Sequence, residues 1–258
     1  LYLNALKKAE KKTSDPRLLP GLVAKINDFR YAGINLGKMD LSVKKQKPGL
    51  EIDSLHFISP IMSVDLKGRW FTLDGNQQTK FYATVRSNNM GHLLENFGYV
   101  HGIGEGNSKL GLDLTWQGKP SDFAFGKIYG NIAVDINNGS LLELDPGAGR
   151  FFGLFSFQAL PRRLALDFSD FFQKGFKFDS IQGDFALSEG NAYTGNLVID
   201  GPAATIEVAG RTGLVERDYD QQITVMPSLG SALPWAGVLA GEPHIGAMLF
   251  ITQKLFQS

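Results

Sequence analysis

Short segments in which apolar and polar residues alternate make up most of this chain. In one of them Met62, Val64 and Leu66 are separated by single polar residues. A period of two predicts β-strands with one apolar and one polar face. The pattern returns at residues 110–116, 132–136, 185–187, 197–199, 206–208 and 223–225. With few helices to cover them, such strands present a long apolar surface that needs a partner: a second sheet, the same sheet folded over, or a lipid.

The composition excludes several classes of function. The 26 Lys and Arg residues balance 26 Asp and Glu residues, so no overall positive field attracts nucleic acid or an acidic membrane surface. There is no Cys, which excludes disulfides, zinc–thiolate sites and a thiol nucleophile. A length of 258 residues admits one large β domain or two small ones. Because the chain starts at Leu1 without an initiator Met, we expect it to be a piece of a longer protein.

Turn residues divide the alternating segments into strands. The segment from residue 22 to residue 43 is mixed but strand-rich, with Gly33 and Gly37 as turns, and Pro48-Gly49 marks the next turn. Asn138-Gly139 lies between two apolar runs and predicts a type I′ hairpin, because this pair accepts a positive φ. Further strands are predicted at 50–58, 61–71, 79–86, 108–117, 121–136 and 140–144, followed by a meander from 176 to 225.

A few short helices are predicted between the strands. At residues 88–98, Asn88 or Asn89 is placed to cap a helix. The stretch 229–256 is nearly uncharged but is interrupted at Glu242-Pro243-His244 and elsewhere, so its apolar runs are too short to span a bilayer. Two short helices fit it better. Other helices are predicted at 1–12 and, in a buried position, at 147–157.

Residues capable of catalysis or metal binding are scattered. His56, His92, His101 and His244 lack the i, i+4 spacing of a helical metal pair and are expected to be solvated or locally bonded. Residues 102–106 resemble a phosphate loop in composition only and predict a flexible turn into the next strand.

Other polar motifs also have simpler explanations. Asp167 and Asp170, close to Arg162 and Arg163, are expected to form a local salt network rather than an acid–base pair. The chain has no Gly-x-Ser-x-Gly elbow of an α/β-hydrolase. We therefore expect no catalytic residues, no metal and no cofactor.

The three tryptophans leave alternatives open. Trp70 and Trp116 fall on the apolar phase of their strands, where they either pack in a core or line an apolar groove. Trp235 lies in a proline-interrupted apolar stretch, where it either contacts a membrane interface or partner or is buried.

The second half of the chain contains several long, ordered strings of sequence. They lie at residues 147–156, 160–164, 166–170, 175–176, 178–181, 183–185, 200–204, 219–221 and 253–255. In these strings the chain resembles the C-terminal part of YhdP-type AsmA-like proteins. The resemblance is closest over residues 140–256 and extends back to about residue 22.

The resemblance implies a fold and a function. Such proteins are large and periplasmic in the Gram-negative envelope, anchored in the inner membrane by an N-terminal helix and reaching the outer membrane. Their fold is mainly β: a long antiparallel sheet bent into a U-shaped groove (β-taco) with a few short capping helices. Phospholipid is thought to move along the hydrophobic groove, and this chain would be its outer-membrane-proximal end. Glu242-Pro243-His244 departs from the small apolar residues expected there, which argues against deep insertion of the terminal segment.

Three parts are expected from pattern and resemblance together. They are an N-terminal helix or linker at 1–21, a β-groove domain at 22–228 with helical insertions near 88–98 and 147–157, and a C-terminal apolar helical segment at 229–258. The expected function is non-enzymatic binding and transfer of phospholipid acyl chains. The alternative is a structural scaffold of the envelope that binds an outer-membrane partner protein.

The residues expected to act are apolar. Those expected to line the lipid groove are Met62, Val64, Leu66, Leu112, Leu114, Ile132, Val134, Phe185, Leu197, Ile206 and Ile223. Those expected to contact the outer membrane or an outer-membrane protein are Trp235, Leu239, Met248, Phe250 and Phe256.

Overall fold

Consecutive antiparallel pairing organises the whole protein. The computed structural model describes residues 15–31, 33–98, 102–142, 176–228 and 253–257. The strands in these ranges form one sheet of 12 strands, each hydrogen-bonded to its neighbours in the sequence. The first and last strands are the two edges, so within the described ranges the sheet is open and is not closed into a barrel. The predicted fold class, a mainly β antiparallel sheet forming a taco-like groove with few helices, is confirmed.

The elements follow the alternating segments closely. The strands are β1 (Leu22–Tyr31), β2 (Ile34–Gln46), β3 (Gly49–Ile58), β4 (Met62–Leu73), β5 (Asn76–Ser87), β6 (Ile103–Gln117), β7 (Tyr129–Leu141), β8 (Phe176–Ser188), β9 (Asn191–Asp200), β10 (Ala204–Gly213), β11 (Tyr219–Pro227) and β12 (Gln253–Gln257). Helix α1 (Met90–Asn96) lies between β5 and β6, and two single-turn 3-10 helices, Pro120–Asp122 and Phe125–Lys127, lie between β6 and β7.

Several local predictions are confirmed. Asn89 is the N-cap of α1, and its side-chain oxygen accepts a hydrogen bond of 2.9 Å from the backbone N–H of His92. Gly33 lies in the turn between β1 and β2 with φ at 85°, and Pro48 lies in the turn before β3. The meander predicted from residue 176 to residue 225 is the run from β8 to β11.

The hairpin predicted at Asn138-Gly139 is wrong. These residues lie inside β7, which continues past them and pairs with β6 on one side and β8 on the other. Asn138 does adopt a positive φ, of 56°, but it does so in a local irregularity of the sheet, where Glu105 and Gly106 of the facing strand also have positive φ. Asn138-Gly139 therefore accommodates an irregularity within a strand. The same residue pair also suits a hairpin turn, and the sequence alone does not distinguish the two.

Three further boundaries differ from the predictions. Residues 103–106 belong to β6 rather than to a flexible turn. The strand predicted to begin at residue 121 begins only at Tyr129, after the two 3-10 helices. Gly37 lies inside β2, not in a turn. Its φ is 79°, it faces Phe29 where the register of β1 shifts, and a Cβ there would collide with the Ile58 carbonyl oxygen. Close approach of neighbouring strands, rather than chain reversal, requires this glycine.

The C-terminal prediction also needs a correction. Helix was predicted up to residue 256, but residues 253–257 form β12, which pairs with β11. A short polar–apolar segment can adopt either structure, and pairing with an available edge decides for strand. The predicted helices at 1–12 and 147–157, the Asp167–Asp170 motif and residues 229–252 lie outside the described residues.

The connections of the sheet lie on two opposite rims. Rim A carries the β2–β3, β4–β5, β6–β7, β8–β9 and β10–β11 connections, and rim B carries the β1–β2, β3–β4, β5–β6 and β9–β10 connections. Three connections of rim A meet: the Leu214 N–H donates to the Gly190 carbonyl at 2.7 Å, and Val215 lies against both Gly190 and Gly126. The sheet is therefore curved so that these three connections converge at rim A, and it is not flat.

Candidate functional site

Apolar side chains form unbroken rows across the sheet on one face. One row passes from Ala24 through Leu41, Leu55, Leu66, Ala83, Leu112 and Ile132 to Phe185, with each residue directly opposite the next on the neighbouring strand. The row therefore crosses eight strands, from β1 to β8. At about 4.8 Å between strands, its length is roughly 34 Å. An apolar molecule that moves along this row would contact apolar side chains on every strand and would meet no polar side chain.

The structure brings the predicted lining residues together. Leu66, Leu112, Ile132 and Phe185 belong to this row. Val64, Leu114 and Val134 lie on the same face one pleat away, and Met62 lies two pleats away, close to rim B. On the later strands Leu197 faces Val208, and Ile206 faces Ile199, with Ile223 next to Val208. Apart from Leu66, the predicted lining residues from Met62 to Ile223 form or pack against one cluster.

Exposure to solvent changes along this face. Leu197 and Ile206 are 0% and 1% exposed, as in an ordinary protein core. On β4 to β7, by contrast, Val64, Leu112 and Val134 are only partly buried. The apolar wall is thus accessible in the middle of the earlier strands and closed in the later ones.

Helix α1 covers the apolar face at rim B. Its Met90 and Leu93 are buried in the same cluster as Met62, Ile103 and Leu141. A Cβ at Gly91 would lie 2.8 Å from the Ile103 carbonyl oxygen, so the helix approaches β6 as closely as the backbone allows. This helix was predicted, but its role as a cover at rim B depends on contacts that the sequence pattern does not show.

Both described tryptophans lie on the apolar face. Trp116 is 3% exposed and donates from Nε1 to the Lys119 carbonyl at 2.9 Å. Trp70 is partly buried and donates to Gln77 Oε1 at 3.1 Å. Each indole therefore keeps its polar edge bonded while its rings pack at the rim A end of the face.

The opposite face is polar and paired. Asp65 lies 2.8 Å from His56 Nδ1 and accepts a hydrogen bond of 2.7 Å from Arg86 Nη1. The bonds from His56 and Arg86 hold the pKa of the Asp65 carboxyl below its usual value. These groups are about half exposed, so the network is a solvated surface cluster.

A shallow depression of about 580 Å³ lies on this polar face, across β3 to β8. Its lining includes His56, Lys67, Tyr82 and Asp113 around the small residues Gly111 and Ala133. Within the described ranges no three His, Asp or Glu side chains are arranged so that they could hold a metal ion.

The sequence prediction missed the contribution of the first three strands. Ala24, Leu41 and Leu55 continue the same apolar row, yet the alternation that would reveal them is interrupted. In β3 the register shifts between Ile52 and Leu55, so the apolar phase changes within one strand. The weaker pattern Met39–Leu41–Val43 in β2 was the available signal.

The predicted membrane or partner residues are not placed. Trp235, Leu239, Met248 and Phe250 lie outside the described residues, and Phe256 is described only as part of the backbone of β12. No helix in the described ranges is both long enough and apolar enough to cross a membrane.

The family model for YhdP proteins matches residues 1–258. The chain belongs to the YhdP family. A protein of Escherichia coli (strain K12), the intermembrane phospholipid transporter YhdP, is 30% identical over 226 residues. The matched region covers 87% of this chain and 18% of that relative, so the chain spans about a fifth of the YhdP protein it resembles. No solved structure matches the chain significantly.

Proposed function

We propose that the apolar face binds phospholipid acyl chains and passes them between membranes, without chemical catalysis. The observation that carries the proposal is the eight-strand apolar row from Ala24 to Phe185. Each acyl CH₂ removed from water contributes roughly 0.8 kcal/mol, and a wall of similar residues gives similar affinity at every step. A lipid can therefore move along it without being trapped at one site. The E. coli relative, an intermembrane phospholipid transporter, supports the same proposal.

Partial exposure supports the middle of β4 to β7 as the stretch where lipid would lie. Val64, Leu112 and Val134 are accessible between the cover of α1 at rim B and the Trp116 end at rim A. A lipid whose acyl chains contact these residues could keep its headgroup in water. The predicted groove residues on β4 to β7 are the ones we propose to contact acyl chains.

The wider setting of the protein is part of the proposal. We place it in the periplasm, with the full-length protein anchored in the inner membrane and this region near the outer membrane. Trp235, Leu239, Met248, Phe250 and Phe256 would then contact the outer membrane or an outer-membrane protein. Their apolar character in a nearly uncharged stretch is what supports this assignment.

A scaffold function is the second candidate, and one observation favours it. Ile181, Leu197 and Ile199 on the later strands are 0% exposed, like the core of a protein that binds no lipid. If the whole face were such a core, the protein would act by binding an outer-membrane partner through another surface.

Lipid occupancy of neighbouring variants separates the two candidates. Val134 lies on the apolar face, and Ala133 lies beside it on the exposed polar face. The test is mass spectrometry of organic extracts of the purified chain from a lipid-containing host, comparing wild type with Val134→Asp and Ala133→Asp. We expect co-purified phospholipid in wild type and in Ala133→Asp, and a strong loss in Val134→Asp. A carboxylate in contact with acyl chains loses its water, which costs about 2 kcal/mol or more.

Folding controls keep this test interpretable. Circular dichroism should show the same β signal in all three proteins, and Val134→Thr, which keeps the side-chain shape, should lose less lipid than Val134→Asp. A folded wild-type protein with no bound phospholipid, or a folded Val134→Asp variant with normal lipid content, would contradict the proposal and favour the scaffold.

A further inference from the structure

Four aromatic rings form a chain from the apolar face to the outside of rim A. Ring centroids are 5.5 Å apart for Phe81 and Trp116, 5.5 Å for Trp116 and Phe123, and 5.7 Å for Phe123 and Phe125. All three pairs are edge-to-face, a favourable aromatic geometry. Trp116 is 3% exposed, whereas Phe123 and Phe125 are each 45% exposed. The chain thus connects the buried wall of the groove directly with the protein surface.

The outer rings sit on a backbone that is held in place. The Trp116 Nε1–H bonds the Lys119 carbonyl at 2.9 Å, and the Asp122 carboxylate accepts the Lys119 N–H at 3.1 Å. Two consecutive 3-10 turns follow, and Ile128 anchors the end of the segment at 2% exposure. The exposure of Phe123 and Phe125 is therefore a built feature of a packed connection, not a consequence of an unstructured loop.

A third exposed apolar side chain adjoins these rings. Val215, from the β10–β11 connection, lies against Gly126, and it is 51% exposed. We call Phe123, Phe125 and Val215 the aromatic rim. The connection from residue 118 to residue 128 has two lysines, Lys119 and Lys127, and one acid, Asp122, whose carboxylate is already bonded to backbone. The rings are therefore flanked by one lysine on each side, Lys119 and Lys127, while Glu189 and Glu216 lie in the two connections that meet this one.

We propose that the aromatic rim is a contact site for a phospholipid bilayer. Half-exposed aromatic rings flanked by lysines suit the headgroup–acyl boundary, where the rings enter the apolar layer and the ammonium groups meet phosphates. The chain through Trp116 and Phe81 makes this site continuous with the apolar face, so lipid leaving a bilayer meets no polar gap. This inference rests on the proposed function, because lipid transfer is what would bring a bilayer to rim A. Contact with the bilayer is measured separately from lipid in the groove.

A probe at Phe125 reports contact directly, because the chain contains no Cys and a single introduced thiol is unique. Phe125→Cys and Tyr193→Cys are labelled with an environment-sensitive fluorophore. Tyr193, on the polar face of β9, is 44% exposed and matches Phe125 in exposure. Vesicles of phosphatidylethanolamine with a minority of phosphatidylglycerol are then added. We expect a blue shift and higher intensity at position 125 and no change at position 193.

Binding of unlabelled protein to the same vesicles gives the second readout. Phe123→Ser/Phe125→Ser should weaken flotation with vesicles by about tenfold, since two half-exposed aromatic side chains no longer enter the bilayer. Tyr193→Ser should float like wild type. Phe125→Ser alone, which leaves the Phe123–Trp116 contact intact, should show a smaller loss and guards against misfolding of the double variant.

The outcomes distinguish this inference from the proposed function. Normal phospholipid content in a folded Phe123→Ser/Phe125→Ser variant that floats poorly supports both. Unchanged flotation of the double variant, or an equal fluorescence change at positions 125 and 193, overturns the aromatic rim as a bilayer site while leaving lipid in the groove intact. Vesicle-independent shielding of the label at position 125 would mean a protein partner and would also overturn it.

Discussion

Gly183 of β8 lies directly against Leu197 of β9. A Cβ at position 183 would be 2.7 Å from Leu197 Cα and 3.1 Å from its Cδ1. Leu197 is 0% exposed, and the register between the two strands shifts between Gln182 and Ala186. The missing side chain gives β9 the space to bulge towards β8 while it keeps Leu197 on the apolar face.

Gly183→Ala should destabilise the protein by about 1–3 kcal/mol, because the added methyl group meets backbone that cannot rotate away. The matched control is Gly195→Ala on β9, where a Cβ meets nothing within 4 Å. That control should be neutral or slightly stabilising. Urea unfolding followed by circular dichroism measures both, and equal midpoints for the two variants would refute the packing argument.

The backbone at Asn138 predicts a pair of opposite substitutions. With φ at 56°, this residue occupies the left-handed region inside β7. Asn138→Val should cost about 1–2 kcal/mol, whereas Asn138→Gly should stay within a few tenths. Thermal unfolding of the two variants tests the irregularity in β7. A well-tolerated valine would mean that β7 does not keep this conformation.

The Arg211–Asp218 ion pair should make stability depend on pH. Arg211 bonds Asp218 Oδ1 at 2.9 Å and Oδ2 at 2.7 Å, and it also bonds Asn191 at 2.8 Å. The hydrogen bonds from Arg211 lower the pKa of the Asp218 carboxyl. A lowered folded-state pKa contributes stability above the unfolded pKa of about 3.9, and that stability is lost as pH falls through the folded pKa.

Asp218→Asn should therefore be less stable than wild type by about 1 kcal/mol at neutral pH, with the difference shrinking below about pH 4. Unfolding midpoints across the acid range provide the measurement. The control is Asp40→Asn, whose partner Lys25 is 3.8 Å away on an exposed surface. This second change should have little effect at any pH. A difference in stability between Asp218→Asn and wild type that grows on acidification would contradict a lowered pKa of Asp218 in the folded protein.

Lipid should protect one face of the sheet from chemical modification. Leu112→Cys places a thiol on the partly buried apolar face, and Ala133→Cys places one on the polar face of the next strand. Adding phospholipid to delipidated protein should slow maleimide labelling of Leu112→Cys several-fold and leave Ala133→Cys unchanged. Equal rates with and without lipid at position 112 would exclude acyl contact at that point of the row.

Pattern alone identified the face but not its details. The predicted lining residues from Met62 to Ile223 share one face because successive side chains of a strand alternate between the two faces. In the third strand the apolar residues were missed because the register shift between Ile52 and Leu55 moves them to the other phase, and the first strand has irregularities of its own between Ile26 and Arg30. Asn138-Gly139 was assigned to a hairpin because a positive φ serves a turn and a kink equally well.

The sequence by itself determined the strand class, the sequential antiparallel order and the side of each strand that is apolar, since these follow from a period of two and short connections. Only the tertiary structure decided that α1 covers rim B, that Val215 meets Gly126 and Gly190 on rim A, and that Leu197 is buried while Leu112 stays partly open. The physical reason is that burial depends on contacts between residues far apart in the chain. Local alternation fixes which way a side chain points and leaves open what comes to cover it.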